Sequence, residues 1–123
     1  QEYGLAFAND LLHTTGELAT HPFITSNMIK ALGFYGCPAV THHFFDNYWM
    51  FVANAVGEIK FFDNIIMEHM HPIVNKAEQD EMFVKIESEF YKNFDSYKSY
   101  LFLKMSNDIR KLLDYKEVKW KKY

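Results

Sequence analysis

One cysteine, Cys37, occurs among the 123 residues. That excludes an intrachain disulfide and a zinc site built from several thiolates. It also favours a reducing compartment, so the expected location is cytoplasmic. No apolar run is long enough to span a bilayer, and the sequence carries no signal-peptide pattern. Positive charge is not in excess: the formal net charge is −3, which gives no electrostatic reason to expect a nucleic acid partner. There is no glycine-rich phosphate loop, no Ser/His/Asp arrangement, no nucleic-acid motif, no internal repeat and no low-complexity tract. The chain opens at Gln1 without an initiator methionine, as a cut polypeptide would.

What is present suits a single modest domain. Hydrophobic residues make up 49% and aromatic residues 18%, enough to fill a core and to exclude general disorder. Composition shifts near residue 75. All six histidines lie before it, with two lysines and seven acids; after it come eleven Lys/Arg, nine acids and no histidine. The first part carries −5 and the second +2, so chemistry is expected in residues 1–75 and a helical segment in 76–123.

The local patterns predict short alternating elements. Tyr3 to Ala8 is an apolar run stopped by Asn9-Asp10, a buried strand. "HPFITS" reads as extended because Pro22 biases His21 away from helix. Ser26 then caps a short helix that carries Met28, Ile29 and Leu32 and ends at Gly33. "YGCPAV" is loop, with Cys37 structural or incidental. Asp46 stands at an N-cap position, followed at helical spacing by Trp49, Val52, Ala53 and Val56, with Gly57 as the stop. "EIKFF" and "NIIMEHM" are two strands with a turn at Asp63-Asn64. From Ala77 the period becomes helical, as one long helix or two with a break around residues 96–99. The basic end, "YKEVKWKKY", is expected to fray.

Three clusters could carry chemistry. If residues 65–71 are a strand, His69 and His71 share one face at a strand terminus, where they could bind one divalent ion; a hydrogen-bonded or surface pair is the plainer reading. Asp46 beside His42 and His43 is either an ordinary helix cap or a general base, held where the helix dipole favours a carboxylate. Phe44, Phe45, Tyr48 and Trp49 next to it would wall a sugar or pack the core. Lys76 and Asp80 lie four apart on the first turn of the long helix, as a surface ion pair or, for Lys76, a phosphate contact.

Taken in order, "THPFITSNMIKALGFYG", "HHFFDNYWMFVANAVGEIKFF" and "IIMEHMHPIVNKAEQDE" resemble the C-terminal half of glycosyltransferases of the GT-A fold, family 2-like, of bacterial and phage type. The resemblance covers roughly residues 3–82. It implies a partial α/β architecture: the acceptor-side half of a nucleotide-diphospho-sugar transferase fold in residues 1–75, then a helical segment, 76–123, packing on it or on a partner. It makes Asp46 the catalytic base that deprotonates an acceptor hydroxyl. It gives His69 or His71 to a divalent metal, Mn or Mg, and Lys76 to the leaving diphosphate. Asp10, His43 and Trp49 fall on the acceptor side. The implied partners are a nucleotide-sugar donor, an acceptor and a nucleotide-binding half bearing an Asp-x-Asp motif. That motif does not occur in these 123 residues, so the chain alone is expected to be inactive. Two further readings are a non-catalytic interaction module, and a small metal-binding domain using His42 or His43, Asp46, His69 and His71.

Overall fold

The run Leu5-Ala6-Phe7-Ala8-Asn9 alternates buried and half-buried side chains and forms strand β1 (Leu5–Asn9) at the centre of the sheet. A computed structural model describes residues 3–120 of the protein. Two strands flank β1: β2 (Phe23–Ile24) is antiparallel to it and β3 (Ile59–Ile66) parallel, in the order β2-β1-β3. Between them lie α1 (Ser26–Leu32) and α2 (Phe45–Val56). After β3 come a 3-10 turn (Pro72–Val74), α3 (Glu81–Ser88), α4 (Phe90–Leu103) and α5 (Met105–Trp120). The protein is thus mixed α/β, with a small three-stranded sheet and five α-helices among the described residues.

Both early helices stop where the sequence says they should. Gly33 and Gly57 take left-handed backbone (φ 87° and 72°), and each returns its N–H to the last turn. A side chain at either φ would be strained, which is why glycine ends these helices. The core gathers Leu5 and Phe7 of β1, Met28 and Leu32 of α1, and Tyr48, Trp49, Val52, Ala53 and Val56 of α2. Tyr97, Met105 and Leu112 of the helical segment join the same cluster, so α5 folds back on the α/β part. Polar ties fix it there. The Tyr3 hydroxyl donates to the Leu112 carbonyl at 2.7 Å, Lys116 pairs with Glu58, and Asp108 accepts from the hydroxyls of Tyr48 and Tyr100 at 2.9 and 2.6 Å.

Several local expectations are corrected. β3 is one continuous strand through Asp63-Asn64, and it ends at Ile66, so His69 and His71 are not on a strand. Instead of turning at Asp63-Asn64, β3 bulges: Ala8 faces Phe62 but Asn9 faces Ile66. Thr25, not Ser26, precedes the first helix, and Phe44, not Asp46, occupies the N-cap of α2. Lys76 lies in a loop, while Asp80 caps α3 by accepting from Phe83 N–H at 2.8 Å, so the two do not share a helical turn. The helical segment starts at Glu81 rather than Ala77, and its interruptions fall at Glu89 and Lys104. α4 runs unbroken through residues 96–99 because Tyr97 and Tyr100 pack on the core there. α5 remains helical to Trp120; the rest of the end expected to fray, like Gln1 and Glu2, lies outside the described residues.

Much apolar surface is left open. β3 pairs only with β1 among the described residues. Ile65, Ile66 and Met67 are exposed along and just past it, followed by Met70, Ile73 (77%) and Val74. A second exposed set, Tyr91, Phe94, Phe102 (88%) and Leu103, lies on α4. No helix among the described residues is long and apolar enough to cross a membrane.

Candidate functional site

The two parallel strands β1 and β3 end side by side, and the chain beyond them stays in register. Met67 N–H donates to the Asn9 carbonyl at 2.9 Å, and His69 N–H donates to the Asp10 carbonyl at 3.0 Å. These bonds carry the segment after β3 past the carboxyl ends of the strands, where open α/β sheets form their ligand crevices. A cleft of about 640 Å³ lies there. One wall is residues 69–72 with His21; the other is the 41–47 segment, closed by Phe83, Ile86, Glu87 and Phe90 of the helical segment. Five of the six histidines line it: His21, His42, His43, His69 and His71.

Each wall is tethered. The 41–44 loop is held by Thr41 N–H donating to Oδ1 of buried Asn93 at 2.9 Å, and by His43 Nε2 meeting Glu87 Oε1 at 3.1 Å. Phe44 adopts left-handed backbone (φ 69°), which costs about 1–2 kcal/mol for a non-glycine residue. Its ring stacks on Tyr97 with centroids 5.1 Å apart, and also meets Phe90 and Phe94, which offsets the strain. Asp46 therefore enters α2 in its first turn, half-buried, with Oδ1 accepting from Asn47 N–H at 2.9 Å. Its charge reaches the core side: burial, together with Cys37 and Asp46, pushes the Tyr97 hydroxyl up to about 12.

On the opposite wall, His71 is the cap of the 3-10 turn. Its Nδ1 accepts from Ile73 N–H at 3.1 Å, and its ring stands edge-on to Phe83. The His69 ring lies edge-on to both His71 (centroids 5.1 Å) and His21 (4.9 Å). Burial, followed by the neighbouring His21 and His71, lowers the His69 pKa from its ordinary value. Its Nδ1 is buried without a hydrogen-bond partner, 3.9 Å from Oδ2 of Asp10.

Asp10 sits behind this wall, 2% exposed, and does not line the cleft. Its Oδ1 accepts from the backbone N–H groups of Leu12 and His13 at 2.9 and 2.6 Å; its Oδ2 accepts from the Thr20 hydroxyl at 2.7 Å and faces His13 Nδ1 at 3.0 Å. Burial raises the carboxyl pKa, but the hydrogen bonds from His13, Thr20 and the backbone outweigh it and hold it well below the usual carboxylate range. The resemblance puts Asp10 on the acceptor side; in the structure it is a buried carboxylate that accepts from Thr20 and faces His13, outside the cleft lining.

Of the other site residues read from the sequence, His43, Asp46, His69 and His71 come together in the cleft. Trp49 does not: it is fully buried, and its indole N–H donates to the Tyr35 carbonyl at 2.8 Å. Lys76 is outside the cleft and engaged by Glu68. His21 and Thr20 were missed as site residues, and their only local signal was the extended "THP" approach to β2. Among the described residues, no three His, Cys, Asp or Glu side chains are gathered closely enough to hold a metal ion. The described residues therefore do not make a complete metal site. No protein-family model, curated protein or solved structure matches the chain.

Proposed function

We propose that the chain forms the acceptor-side part of a GT-A-like glycosyltransferase, with its nucleotide-binding half supplied from outside these 123 residues. The observation that carries this reading is that Asp46 and His69, distant in sequence and carried by different segments, line one cleft beyond the carboxyl ends of two parallel strands. Transfer of a sugar to a hydroxyl needs a base on one side of the reacting carbon. Asp46, in the first turn of α2 and on the cleft, would take that role. The rings of Phe44, Phe45, Phe83 and Phe90 along the cleft suit the apolar face of a sugar, and the imidazoles suit its hydroxyls. The open edge of β3 and the exposed Ile65, Ile66, Met67 and Met70 beside it are the apolar surface that a second half would cover.

The test is release of nucleoside diphosphate from a panel of UDP- and GDP-sugars by the natural polypeptide. Asp46→Asn is expected to lower transfer by about 10²- to 10⁴-fold, with thermal unfolding unchanged. Full activity in that variant would remove Asp46 as base, and no turnover of any donor would overturn the reading.

A non-catalytic interaction module is the second reading. It is favoured by the exposed side chains of Tyr91, Phe102 and Leu103 on α4, away from the cleft.

A further inference from the structure

The histidines of the cleft are not chemically equivalent, and the hydrogen bonds behind them say which nitrogen carries the proton. The Thr20 hydroxyl has one hydrogen, and the 2.7 Å contact commits it to Asp10 Oδ2. At 3.3 Å from His21 Nδ1, the same oxygen can only accept, so His21 must be protonated at Nδ1. His13 likewise presents Nδ1–H to the carboxylate at 3.0 Å. For His69, a lone pair on Nδ1 would face the Asp10 carboxylate at 3.9 Å in a buried setting and be repelled. An Nδ1–H dipole there is attracted. His71 is the opposite case: its Nδ1 accepts from Ile73 N–H, which leaves the hydrogen on Nε2.

We propose that Asp10 is a positioning residue that sets the tautomers of His21 and His69, so that both present an Nε2 lone pair to the cleft. It acts on His69 by charge and on His21 through the Thr20 hydroxyl. The rings of His21 and His69 are neighbours, with centroids 4.9 Å apart and the rings edge-on, and both line the cleft. Beside them His71 offers an Nε2–H donor. Such an arrangement takes a ligand bearing adjacent hydroxyls, donating to His21 and His69 and accepting from His71. The tautomer assignment concerns the same cleft as the proposed sugar transfer but does not depend on that chemistry.

Long-range ¹H–¹⁵N correlation spectra of the labelled protein at about pH 8, where neutral imidazole dominates, read each tautomer directly. His69 and His21 are expected with Nε2 in the unprotonated, downfield range, and His71 with Nδ1 there. Asp10→Asn removes the charge, so His69 is expected to move toward the Nε2–H form that free histidine favours. Thr20→Val cuts only the relay, so His21 should move while His69 stays. Wild-type His69 in the Nε2–H form, or a His21 tautomer indifferent to Thr20→Val, would overturn the proposal. If Asp10→Asn does not fold, the wild-type spectrum and Thr20→Val decide. Neither readout involves a sugar donor, so failure here leaves the transfer reading standing, and the reverse also holds.

Discussion

The hydroxyl of Tyr48 donates to Oδ2 of Asp108 at 2.9 Å, joining the first turn of α2 to the first turn of α5 across a sequence separation of 60. Both residues are buried, and Tyr100 donates to the same oxygen. Burial, reinforced by the Asp108 charge, pushes the Tyr48 hydroxyl far above its ordinary value, so it remains a donor at any working pH. Asp108→Ala leaves both hydroxyls without their acceptor and is expected to cost about 2–4 kcal/mol. Urea unfolding checks it; a loss below about 1 kcal/mol would mean that Asp108 adds little to the packing and the other polar ties that hold the helix.

Leu112 and Leu113 give a sharper comparison on one helix. Leu112 is fully buried and Leu113 is 40% exposed. Leu112→Ala is expected to lose about 2–5 kcal/mol by transfer and cavity terms. Leu113→Ala should lose less than about 1 kcal/mol. Equal effects would show that α5 does not dock on this face in solution.

Acid should act through Asp10. Its folded-state pKa lies below its unfolded value, so it contributes stability above the ordinary carboxylate range and loses it as pH falls toward the folded value. Unfolding midpoints should therefore drop below about pH 4, with a shallower drop in Asp10→Asn. Identical acid legs would remove the carboxylate's stabilising role.

His69 works at a higher pH with the same sign. Its folded pKa is lowered, chiefly by burial, so the unfolded chain takes up the proton first and the folded state loses stability as pH falls through about 6.5. His69→Gln should flatten the stability profile between about pH 7 and 5, and an unaltered profile would count against it.

Gly36 tests the shape of the cleft. A Cβ there would collide with the ring of Phe45, which lines the cleft wall. Gly36→Ala is expected to destabilise by about 1–3 kcal/mol, as overpacking does, and to perturb the side-chain resonances of Phe45. A neutral substitution with unshifted resonances would show that the ring moves aside freely.

The elements that depend on local chemistry were legible in the sequence: β1 from its apolar run stopped at Asn9-Asp10, α1 and α2 from their apolar spacing, and both stops from Gly33 and Gly57. The cleft was partly legible, because Asp46 and the "EHMHP" histidines drew attention by residue type. Their mutual placement was not, since it depends on the Asn9 and Asp10 carbonyls capturing the N–H groups of Met67 and His69 from far along the chain. The strand expected at residues 65–71 was lost because Ile66 is the last residue with a ladder partner on β1. Trp49 could wall a sugar or pack the core by sequence; α2 turns it into the core, where its indole N–H donates to the Tyr35 carbonyl. Asp108, an ordinary helix carboxylate by sequence, gained its importance only from two tyrosines that no local pattern connects to it.

The bulge between β1 and β3 has a consequence for how the chain tolerates change in length. One step along β1, from Ala8 to Asn9, corresponds to four along β3, from Phe62 to Ile66. The intervening Asp63, Asn64 and Ile65 are exposed, and the bonds from Met67 and His69 re-anchor the chain immediately afterwards. Residues added or removed at 63–65 would thus be absorbed as slack, while the imidazole of His69 keeps its address beside Asp10. The strand and the site are geared separately, leaving one free to drift in length while the other stays fixed.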